Sequence, residues 1–190
     1  MSLARPRYLR IERLVDGLLD KHHVEEPPVP VEAIVRQTEG VSVRYSDLKG
    51  ISGLVVRKGG AIVIGVNRTH SPVRRRFTLA HEFAHILLHE GKELRFDEDF
   101  RFNLRSEISS TGTDIEEIEA NFFAASLLMP RRFLDTDHRT LTIEIEDAKA
   151  VQELARAYTV SAQAMSVRLL NLYGRRSSAA GWQRSLSTEA

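Results

Sequence analysis

No cysteine occurs among the 190 residues. The fold therefore uses no disulfide and no thiolate ligand, and any metal must rest on His, Asp or Glu. Excess charge is missing too: Lys and Arg total 27 and Asp and Glu 26, a formal net of +1. That balance supplies no global attraction to nucleic acid or anionic membrane. Long apolar runs are also absent. The densest, residues 61–66, is strand-sized and far short of the roughly 20 residues a membrane helix needs. The opening stretch, MSLARPRYLRIERLVDGLL, interleaves charged and apolar residues. It has neither an unbroken apolar segment nor a small-residue cleavage site, so a cytoplasmic protein without a secretory signal is expected. What is present, 42% apolar and 28% charged residues, is typical of a soluble globular domain of this length.

Periodicity along the chain predicts helices first. Ile11, Leu14, Val15, Leu18 and Leu19 share one face of a helix over residues 8–19, and residues 31–36 suit a second, short one. Three short strands follow, at 41–45, 52–57 and 61–66, with Lys58-Gly59-Gly60 as a hairpin turn between the last two. Ser71-Pro72 is a helix start, with Ser at the cap and Pro at the first helical position, and that helix should run to about residue 90. Residues 92–113 are polar and read as a loop. A strong helix over 114–129 ends at Pro130. Residues 140–145 fit no single pattern, and 148–158 and 161–173 form a helical pair. The expected organisation is one α+β domain over residues 1–174, with a small, mostly antiparallel three-stranded sheet, and a flexible tail over 175–190.

The chemistry concentrates in FTLAHEFAHILLHE, residues 77–90, which sets His81, Glu82 and His85 in the order His-Glu-x-x-His. Four helical residues span about 400°, so the two imidazoles project from nearly one line and can share a metal ion. Glu82 lies about 100° around from His81, in reach of a metal-bound water without being a ligand. With 7 His in the chain, the motif is expected by chance roughly 0.02 times. The competing reading is a core helix holding two satisfied histidines. A catalytic zinc site takes a third protein ligand. His89 is one turn further on, about 6 Å along the axis, a long reach for one tetrahedral site, so it reads as a structural histidine or one that supports a ligand, with ligation as the alternative. The helix EEIEANFFAASLLMP offers Glu116, Glu117 and Glu119. Glu117 shares a face with Asn121 and the small Ala124, which favours it as ligand, with Glu119 as the alternative and Asn121 as an acceptor for a ligand histidine's second ring N–H.

RRRFTLAHEFAHILLH followed by EIEANFFAASLLMP resembles the ImmA/IrrE-type metallo-endopeptidases, and ISGLVVRKGGAIVIGVNRTH before them fits the same pattern. The resemblance spans about residues 8–173. It implies a zincin-like core, His81, His85 and Glu117 as metal ligands and Glu82 as general base. It also implies a regulatory protease that cuts a helix-turn-helix repressor and so derepresses stress-response or mobile-element genes. Zinc is the expected metal, with manganese or another divalent ion as the alternative for a His₂Glu set. Zincins also use an oxyanion donor; His138, Tyr158 and Arg168 are candidates by residue type alone.

A different class of function is a DNA-binding or repressor-binding module without protease activity. VQELARAYTVSAQAMSVRLLNLY has the spacing of a helix-turn-helix. Thr159 stands near the place where its turn glycine is expected. Charges from 151 to 170 are Glu153, Arg156 and Arg168, a poor footprint for phosphate. A helical hairpin that closes the core accounts for the segment better. The run Arg74-Arg75-Arg76 reads as a solvated face or a contact for an acidic partner.

Overall fold

Helix α1, Tyr8–Lys21, repeats buried apolar residues every fourth position at Ile11, Val15 and Leu19, as one stripe of a helix laid on a core must. The architecture around it comes from a computed structural model that describes residues 5–89, 94–98, 112–143 and 147–185. Helix α2, Val31–Arg36, turns its Val31, Ile34 and Val35 inward. Strands β1 (Val41–Ser46), β2 (Ile51–Lys58) and β3 (Ala61–Asn67) follow. Gly59 and Gly60 connect the last two with φ of 58° and 81°. Positive φ at both central residues is the twist a two-residue hairpin demands, and glycine alone adopts it freely.

Among the described residues the sheet has four strands in the order β1-β3-β2-β4, not three. Strand β4, Leu94–Glu98, pairs antiparallel with β2 and occupies part of the stretch expected to be a loop. Residues 99–111 of that stretch lie outside the described residues. Strands β2 and β3 are antiparallel, whereas β1 runs parallel to β3, from Val41 opposite Ile62 to Ser46 opposite Asn67. The hairpin returns β3 between its partner and β1, so β1 meets a strand running its own way. The sheet is thus mostly antiparallel, with one parallel pair.

Helix α3, Pro72–Leu88, begins as its sequence dictates: Ser71 Oγ accepts from the Arg74 amide and Pro72 occupies the first turn. It lies between β2 and β3 on one side and α4, Gly112–Leu128, on the other. Every residue from 77 to 85 is therefore buried. Helices α5 (Arg131–Thr136) and α6 (His138–Thr142) follow Pro130, and α7 (Ala148–Tyr158) is capped by Asp147, which accepts from the Lys149 and Ala150 amides. Thr159 makes the turn into α8 (Ala162–Ser185) with φ of 53°. Ser161 Oγ then accepts from the Ala164 amide, 3.1 Å away. Helix α8 continues past Gly174 to Ser185, where the sequence suggested a tail. Among the described residues no helix is long and apolar enough to cross a membrane.

Candidate metal centre

Helices α3 and α4 pack closely against each other, and Ala80 and Ala84 on the first and Ala120 and Ala124 on the second are wholly buried. That approach carries Glu117, in the second turn of α4, to the face of α3 that bears His81 and His85. One ligand atom from each of the three lies within 4.8 Å of the others. His81 Nε2 and His85 Nε2 are 3.1 Å apart, and the Glu117 carboxylate oxygens sit 3.3 Å from the first and 3.6 Å from the second.

These separations suit a metal ion. Ligands at about 2.0–2.1 Å from a tetrahedral zinc stand about 3.3–3.4 Å from one another. Two imidazole nitrogens and a carboxylate are also a donor set that zinc accepts. His81 Nδ1 is 2.8 Å from Asn121 Oδ1, so the ring donates there and turns the lone pair of Nε2 toward the other two ligands. Both ligand rings are 1% exposed while the Glu117 side chain is 33% exposed, so the cluster opens to solvent on the α4 side.

Glu82, adjacent to His81, is fully buried against β2. A Cβ at Gly53 would come within 2.5 Å of Glu82 Oε1 and 2.6 Å of Thr78 Cγ2. Only glycine lets the strand pass so near the carboxylate. On the same strand Arg57 donates to the His85 carbonyl at 3.0 Å, tying the sheet to the last turn of α3. Neither residue stands out by motif or periodicity; a glycine inside a strand is the available signal for the first.

Glu119 and His89, the alternative ligands, are placed outside the cluster. Glu119 accepts from Arg7 through its backbone amide (2.7 Å), Nε (2.9 Å) and Nη2 (2.6 Å). Burial alone would raise its carboxyl, but hydrogen bonds from Arg7 and His89 outweigh that and hold it at about 2. His89 spans the gap: Nε2 is 3.1 Å from Glu119 Oε2 and Nδ1 is 3.0 Å from His85 Nδ1. Burial lowers its imidazole, against the pull of Glu119. The oxyanion candidates are likewise engaged elsewhere. The Tyr158 hydroxyl faces Asp137, Arg168 Nε donates to the Met129 carbonyl, and the side chain of His138 is exposed.

The family profile described as the IrrE N-terminal-like domain matches residues 36–170. The chain belongs to that family. Its relatives include the radiation response metalloprotease IrrE of Deinococcus deserti, 38% identical over 101 residues, which are 53% of this chain and 33% of that protein. The chain thus matches about a third of that relative's length. Among solved structures, a Mycobacterium tuberculosis transcriptional regulator superposes on 85% of this chain and 46% of its own, with a TM-score of 0.55 and 16% identity. At that identity the likeness is one of fold. Within the IrrE-like domain the helix bearing His81 and His85, the helix bearing Glu117 and the small mixed sheet make a zincin-like core with a divalent-metal site of zinc type.

Proposed function

We propose that this protein is a zinc-dependent endopeptidase that cuts a protein substrate in the cytoplasm, and that its substrate is a helix-turn-helix repressor. The observation that carries the reading is the convergence of His81, His85 and Glu117 at separations of 3.1–3.6 Å with Glu82 as the neighbour of His81. Zinc, or another divalent ion such as manganese, would be held by those three and would supply Lewis acidity to a peptide carbonyl and to water. Glu82 accepts the proton of the attacking water and returns it to the leaving amine, the task of a carboxylate held beside the reacting atoms. Gly53 of β2 packs directly against that carboxylate and holds it on the α3 face. Asn121 fixes the His81 ring and its tautomer, and the part-exposed Glu117 marks the side from which solvent reaches the cluster.

The repressor as substrate rests on the resemblance to ImmA/IrrE proteases. The α7–α8 pair gives little to a DNA-binding reading, because Val151, Leu154, Tyr158, Ala164, Met165 and Leu169 are all spent on the core. The deciding experiment co-expresses the protein with a candidate repressor and follows its length, using wild type and Glu82→Gln. Wild type should shorten the repressor at one site and Glu82→Gln should leave it intact while still binding zinc. Cleavage surviving in Glu82→Gln would sink the mechanism, and ready digestion of casein by wild type would sink the narrow specificity.

A further inference from the structure

Proton bookkeeping behind His85 leads to a residue far from the motif. A carboxylate only accepts, so at 3.1 Å from Glu119 Oε2 the His89 Nε2 must carry a hydrogen. With one N–H on that ring, His89 Nδ1 is an acceptor. His85 Nδ1, 3.0 Å away, must then donate to it. His85 is left with its lone pair on Nε2, the atom that faces His81 Nε2 and Glu117. Every hydrogen bond in the chain points the same way, and one tautomer of each ring satisfies it.

The far end of this chain is Arg7. Its amide and guanidinium hold Glu119 through both carboxylate oxygens, and its Nη2 also donates to the Leu88 carbonyl at 3.1 Å, at the end of the helix that bears the ligands. Glu119 is thereby kept in the rotamer that meets His89, and the end of α3 is tied to the same guanidinium. Arg7 precedes α1 and lies outside the family match at 36–170. The Nδ1 of His81 is served differently, by the neutral amide of Asn121.

We propose that Arg7, Glu119 and His89 are positioning residues that set the tautomer and ring orientation of His85 for metal binding, so that the segment ahead of α1 is a working part of the metal site. The proposal rests on the zinc reading of the His81, His85 and Glu117 cluster. Its test measures zinc affinity by competition with a chromophoric chelator and records the visible spectrum of the cobalt(II)-loaded protein. Wild type is compared with His89→Leu and with Arg7→Ala/Glu119→Gln, which removes the cation and the buried charge together. Both variants should bind zinc about 10–100-fold more weakly, the range seen when a ligand histidine loses its outer partner. Both should also show altered cobalt bands, which loss of fold stability alone would not produce in protein that remains folded. If one variant fails to fold without metal, the other carries the same comparison. Zinc affinity and cobalt bands equal to wild type, with binding still abolished by His81→Ala, would overturn the positioning role and leave the zinc site standing. Failure of wild type itself to take up zinc or cobalt would overturn both.

Discussion

Replacing Gly53 by alanine tests the packing behind Glu82. The added Cβ would sit 2.5 Å from Glu82 Oε1, 2.9 Å from Glu82 Cγ and 2.6 Å from Thr78 Cγ2, where ordinary contacts begin at 3.4 Å. Something must move by about 1 Å, and Glu82, fully buried, has no open side to swing into. Overpacking of this kind costs about 1–3 kcal/mol, or a fall in melting temperature of about 2–12 °C for a chain of this size. Two of the three close atoms belong to Glu82, so the cost should shrink in a Glu82→Ala background. Urea denaturation of the four members of that cycle, all with chelator, should give a coupling energy of about 0.5–2 kcal/mol. An equal cost of Gly53→Ala in both backgrounds, or no cost in either, would refute the close approach of β2 to Glu82. Once a substrate is in hand, the same variant should lose about 10²-fold in rate, because about 1 Å is enough to misplace a catalytic carboxylate.

Metal analysis of protein purified without chelator should find about one zinc per chain in wild type and little in Glu117→Ala; tight retention by the variant would place the third ligand elsewhere. Thr159 is β-branched and held at φ 53°, so Thr159→Gly should stabilise the α7–α8 turn by up to about 1 kcal/mol, read as a rise of about 2–4 °C. Asp147→Ala leaves the Lys149 and Ala150 amides without their cap and should cost about 1 kcal/mol in urea denaturation.

The metal cluster was legible because its spacing is a property of one helix. His81 and His85 are four residues apart, and any α-helix through them turns both imidazoles the same way. Glu117 was legible at one remove, through the face it shares with Asn121 and Ala124. Glu119 stayed an open alternative because its fate depends on Arg7, 112 residues away, and a pairing at that distance leaves no periodic trace. The same limit hid the parallel pairing of β1 with β3, since both strands carry the right local pattern for either direction. Strand β4 was hidden for another reason: LRFDE at an edge has a weak alternation inside a polar stretch. Helix α8 runs on through Gly174 because a single glycine lowers helix propensity without forbidding the helix.

Glu117 and His85 are 32 positions apart in the chain yet have atoms 3.6 Å apart. An ion bound between them is a removable cross-link joining two helices. By mass action, zinc at a free concentration a hundredfold above its dissociation constant adds about 2.7 kcal/mol to the folded state. Domains of this kind have only about 5–15 kcal/mol in total. Where zinc is scarce, copies without the ion open more often and meet proteases sooner. Metal supply would then set how long each copy lasts, as well as whether it can do the cutting proposed for it.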